Sequence, residues 1–135
     1  MIQLILSAFA LASVAGMSAP EEKVIPAFGQ PIPNIPGKSL VAAVVQYPPA
    51  GASKPHRHAP SAFIFAYVLS GHITSSVNGS PARDYGPGES WAEPPGAHHS
   101  ISRNASATSP ARLLAVFVVN SSDRKLVIPD PSKAH

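Results

Sequence analysis

The sequence predicts an all-β fold, and three observations carry that expectation. Sixteen prolines and nine glycines cut the chain into short pieces. No window beyond the N-terminal segment sustains an apolar period near 3.6 residues. The pieces between the breakers are rich in β-branched and aromatic residues, which suit a pleated, half-buried surface. With 135 residues and 44% apolar content the chain can bury one core, so a single domain is expected.

In chain order, residues 1–19 read as a signal peptide. They carry no charged side chain, and the apolar stretch from Leu4 to Ala15 is shorter than the roughly 20 residues a spanning helix needs. It suits a signal-peptide core instead, with Ser13-Val14-Ala15 or Ala19 offering small residues for cleavage, although no Lys or Arg precedes it. A secreted or periplasmic product and no stable membrane span are the expectations. Three N-x-S sequons, at Asn78, Asn104 and Asn120, are compatible with a secretory route. There is no cysteine, so stability must come from packing, helped by metal or dimerisation.

Residues 20–38 hold five prolines (Pro20, Pro26, Pro31, Pro33, Pro36) and read as an extended arm. A β-barrel is expected over 39–130 and a short tail over 131–135. Strands are predicted at Leu40 to Tyr47, Phe63 to Leu69, His72 to Asn78, Ser90 to Glu93, His99 to Arg103, Arg112 to Val119 and Lys125 to Ile128. Gly71 and Asn78-Gly79 stand where a tight turn needs positive φ, so Phe63 to Leu69 and His72 to Asn78 are expected to form a hairpin. Short strands between Gly/Pro turns at this spacing suggest a sandwich or barrel.

The formal charge is +3, and the ten Lys and Arg residues are scattered rather than grouped. Nucleic acid is therefore excluded as a partner despite the pI of about 9.5.

Histidines cluster in two places, KPHRHAP and PPGAHHS. In an extended segment, side chains two apart share a face, so His56 and His58 can reach one ion while Arg57 points away. His98 and His99 are adjacent and face opposite sides, so at most one can bind directly. His72 and His135 have no such partner and read as ordinary histidines.

Residues 47 to 119 resemble the cupin domain. AGASKPHRHAPSAFIFAYVLSG can be laid over the motif G-x5-H-x-H-x(3,4)-E-x6-G, with one residue fewer between Gly51 and His56. GESWAEPPGAHHSISRN matches G-x5-P-x-G-x2-H-x3-N through Gly88, Pro94, Gly96 and His99, with Asn104 one residue late. The resemblance implies a jelly-roll β-barrel whose motif histidines point at a divalent metal, with His99 as the third ligand and His98 either behind the ligands or at the rim. It also exposes a departure: the position matching the motif glutamate is Ile64.

Three neutral imidazoles suit a transition metal such as Fe, Zn, Ni, Mn or Cu better than Mg or Ca, which want oxygen. Glu93, directly before Pro94-Pro95-Gly96, reads either as a general acid/base or as a replacement for the absent ligand from another strand. Trp91 lies two residues away on the same face and is a pocket-wall candidate; Tyr67 and Gln46 are further pocket candidates. If Ile64, Ala66 and Val68 point inward, then Phe63, Phe65, Tyr67 and Leu69 face outward together, and a homodimer is expected to cover them.

The function these readings point to is a metal-dependent enzyme acting on a low-molecular-weight oxygenated or carbonyl compound. Its chemistry is either that of an oxidoreductase of the dioxygenase type or that of a Lewis-acid isomerase or lyase. The alternative is a non-catalytic secreted barrel that binds a small ligand or metal, which the apolar Ile64 favours.

Overall fold

The computed structural model describes residues 18–132; the expected signal peptide lies almost wholly outside them. Two five-stranded antiparallel sheets pack face to face. In chain order the strands are β1 (Lys23–Pro31), β2 (Lys38–Tyr47), β3 (His56–His58), β4 (Phe63–Ser70), β5 (Ile73–Val77), β6 (Arg83–Tyr85), β7 (Ser90–Glu93), β8 (His98–Asn104), β9 (Ala111–Asn120) and β10 (Val127–Pro129). One sheet runs β1-β2-β9-β4-β7 and the other β10-β3-β8-β5-β6. The described residues hold no helix, and so none long and apolar enough to cross a membrane.

The proline-rich stretch is extended over Lys23–Pro31, where it hydrogen-bonds along β2. Its prolines are tolerated because β1 is an edge strand, whose outer side needs no donors, and the register slips between Pro26 and Phe28.

The expected hairpin between Phe63 to Leu69 and His72 to Asn78 does not form. Both sides of β4 are occupied, by β7 and β9, so the chain has no free edge to pair with after Gly71. It crosses instead to the other sheet, where β5 lies between β8 and β6. Gly71 does take φ of 71°, and a Cβ there would meet the Pro110 carbonyl at 2.7 Å, so a glycine is required at this corner. Asn78 and Gly79, with φ of 53° and 71°, close a β5–β6 hairpin instead.

The core lies between the sheets. Ile64, Ala66 and Val68 of β4 point into it, across from Phe117, Ala115 and Leu113 of β9. The alternate β4 residues face outward, as their parity predicts, and Phe63 keeps 47% of its surface exposed.

Candidate metal centre

Two strand pairings assemble the site. β3 projects His56 and His58 from the same face, and β8 pairs beside it so that His56 stands directly across from His99. All three imidazoles are buried, and each offers a nitrogen within 4.8 Å of those of the other two. Segments about forty residues apart thus converge on one point.

The hydrogen bonds fix the tautomers. His56 Nδ1 lies 2.7 Å from the Lys54 carbonyl and His58 Nδ1 lies 3.2 Å from the Leu126 carbonyl. A carbonyl only accepts, so both Nδ1 atoms carry the proton and both Nε2 atoms turn a lone pair inward. These two Nε2 atoms are 3.3 Å apart. Two lone pairs at that separation repel unless a cation lies between them. On the remaining ring, Ser75 Oγ is 2.8 Å from His99 Nε2, leaving Nδ1 to face Glu93. This is the outer-shell arrangement that orients histidine ligands at metal sites.

Glu93 comes from the other sheet. It is only 2% exposed, and its Oε1 lies 3.2 Å from His99 Nδ1 and 3.5 Å from His58 Nε2. Neither contact is aligned as a hydrogen bond, so Oε1 is a buried acceptor with no hydrogen-bond partner among the described residues. An orphaned carboxylate oxygen beside converging imidazole lone pairs is a donor set that fits a divalent transition metal.

The electrostatics favour the ligand forms. Burial pushes His99 down to about 4, outweighing the opposite pull of Glu93. Burial likewise holds His56 below the ordinary imidazole value. Burial would raise the Glu93 carboxyl, but the facing His58 and His99 more than compensate and hold it below the usual carboxylate range. Near neutral pH the site therefore presents His56 and His99 as neutral imidazoles and Glu93 as an ionised carboxylate.

The cavity before these groups has a free volume of about 80 Å³. Ile64, Ala66, Leu113 and Ala115 make its wall apolar, and Trp91 closes another side, its ring packed on Tyr85 at 4.7 Å and edge-on to His99 at 6.1 Å. Among the described residues no Lys or Arg lines it.

Three expected neighbours stand elsewhere. His98 points to the outside of its sheet and pairs with Asp130 at 2.7 Å. Gln46 and Tyr67 do not line the cavity: each has the outward parity of its strand, Gln46 beside Arg112 and Tyr67 on the exposed face. The residue the sequence reading passed over is Tyr47, one position beyond Gln46. Its buried hydroxyl meets Ser102 Oγ at 2.7 Å and Ser53 Oγ at 3.0 Å within the cavity lining. Burial raises its phenol above the ordinary value, so it stays protonated.

Comparison with known proteins agrees with this architecture. The family model for the cupin domain matches residues 43–117, and the chain belongs to the cupin family. A Thermus thermophilus protein of known structure, TT1209, is 28% identical, with a TM-score of 0.59 over 73% of this chain and 84% of its own. An oxalate oxidase in complex with glycolate is 23% identical, with a TM-score of 0.57 over 67% of this chain. The DMSP lyase DddQ from Ruegeria pomeroyi is 24% identical, with a TM-score of 0.57 over 71% of this chain. The chain spans 45% of the length of each of these two enzymes. No curated protein matches it.

Proposed function

We propose that this protein is a metal-dependent enzyme acting on a low-molecular-weight oxygenated or carbonyl compound, with His56, His58 and His99 holding a divalent transition metal. The observation that carries the reading is the convergence of three buried imidazoles, two of them with inward lone pairs 3.3 Å apart. A metal bound there would polarise an oxygen of the substrate or, if redox-active, support its oxidation. The structural likeness to an oxalate oxidase and to a lyase is in keeping with either chemistry.

The cavity bears on the substrate. A dication beside the Glu93 carboxylate, with Glu22 also in the lining and no cationic side chain among the described residues there, leaves little net positive charge to hold a dianion. The walls suit a small uncharged molecule with one polar end, which the hydroxyls of Tyr47, Ser53 and Ser102 can meet.

Elemental analysis of tag-free protein tests the reading. One equivalent of transition metal, lost in His58→Ala, supports it. Metal-free protein that also takes up none on titration overturns it in favour of the alternative, a non-catalytic barrel that binds a small ligand without turnover, which Ile64 and the apolar lining support.

Two further readings accompany the first. Phe63, Phe65 and Tyr67 lie beside Val118, Val116 and Leu114 on the outer face of the sheet, which continues to the exposed Phe28. A second copy of the chain covers this face in our reading; sedimentation of Phe65→Ser as a monomer and of the parent as a dimer would support it. Residues 1–19 direct export, which N-terminal sequencing of protein recovered outside the cytoplasm tests.

A further inference from the structure

The position where the family motif carries a glutamate is Ile64, on β4. In the folded protein Ile64 has a direct cross-strand partner on β7, and that partner is Glu93. Cross-strand partners share a face, with Cβ atoms about 5 Å apart. A carboxylate from β7 can therefore reach the space that a β4 side chain at position 64 would enter. We infer that Glu93 is the fourth protein ligand of the metal, so that the missing carboxylate has moved to the neighbouring strand.

The donor spacings support this role. Four donors about 2.0–2.1 Å from one ion in a tetrahedron lie about 3.3–3.4 Å from one another. Three of the six separations lie close to that length: 3.3 Å from His56 Nε2 to His58 Nε2, 3.5 Å from His58 Nε2 to Glu93 Oε1, and 3.2 Å from Glu93 Oε1 to His99 Nδ1, while the three imidazole donors lie within 4.8 Å of one another. A free base would be expected to hydrogen-bond or meet solvent in its resting state. Glu93 Oε1 instead lies buried without a hydrogen-bond partner among the described residues, which is costly unless a cation accepts it. Ile64 is the complement: 1% exposed and packed in the core, it fills the place vacated on β4 and leaves no second carboxylate there. This inference rests on the metal centre proposed above and assigns a ligand to it.

Titration of chelator-stripped protein with Co(II), followed by visible absorption and calorimetry, tests it without any assay of turnover. Glu93→Gln should weaken binding at least tenfold and alter the Co(II) absorption bands, while its metal-free form melts close to the parent. The exchange variant Ile64→Glu/Glu93→Ile, which returns the carboxylate to β4, should recover most of the affinity. Unchanged affinity and bands in Glu93→Gln would overturn the inference and leave the three-histidine centre standing. A parent protein that binds no Co(II) would instead remove the metal centre itself. A crystal of the metal-loaded parent reads the same point without substitution: a Glu93 oxygen within about 2.3 Å of the ion supports ligation, and one beyond about 3 Å refutes it.

Discussion

The sheet β10-β3-β8-β5-β6 turns polar side chains toward the interior, among them His56, His58, His99, Ser75 and Ser102. The facing sheet β1-β2-β9-β4-β7 contributes Ile64, Ala66, Val68, Leu113, Ala115 and Phe117, with Glu93 on its last strand as the charged exception. Buried polar groups cost stability unless partnered, whereas buried apolar groups supply it. The apolar sheet thus stabilises a barrel in which the polar sheet can hold a cluster of imidazoles. Glu93 is informative because it crosses that division and aims at the opposite sheet.

Substitutions on the two sheets should therefore fail in different ways. The largest effect is expected for His58→Ala, which should abolish stoichiometric metal binding while the metal-free protein remains folded; elemental analysis and circular dichroism read the two halves. Leu113→Ala on the apolar sheet should do the reverse. It should cost about 2–5 kcal/mol in denaturant unfolding, as for other buried leucines, yet keep one equivalent of metal. Loss of metal in that variant would show that the sheets are not separable.

The pH dependence sharpens the contrast. His99 is held at about 4 in the folded protein, against 6.5 for the ordinary group, and His56 is shifted the same way. The unfolded chain then binds more protons below pH 6.5. Stability of the metal-free protein is full above that pH and is lost as pH falls toward 4, by up to about 3 kcal/mol from His99 alone. Equilibrium unfolding across this range should show the decline, and His99→Gln should flatten it. The smallest effect expected is that of Tyr47→Phe, which removes the hydroxyl between Ser102 and Ser53 and should cost about 1–2 kcal/mol with metal affinity unchanged.

Much of this was legible beforehand, for a physical reason in each case. The period of two in an extended chain put His56 and His58 on one face and divided FIFAYVLS into buried and exposed halves. The family motif supplied His99. What sequence could not supply was the choice of partner strands: β4 pairs with β9, more than forty residues away, and that non-local pairing displaced the local hairpin expected at Gly71. For the same reason Glu93 was visible as a neighbour of the histidine turn, but not as the residue beside Ile64. Tyr47 was missed because β2, with Leu, Val, Ala, Ala, Val and Val before Gln46, shows no polar alternation from which to read its inward face.

The Leu126 carbonyl that fixes the His58 ring has a consequence for how the protein comes into being. β3 lies between β8 and β10, so the strand bearing two of the three imidazoles is hemmed by segments made about forty and about seventy residues later. During synthesis one flank of the site stays open until β8 has emerged and the other until β10 has followed. An ion bound there would be enclosed only once β10 has joined the sheet beside the histidine-bearing strand.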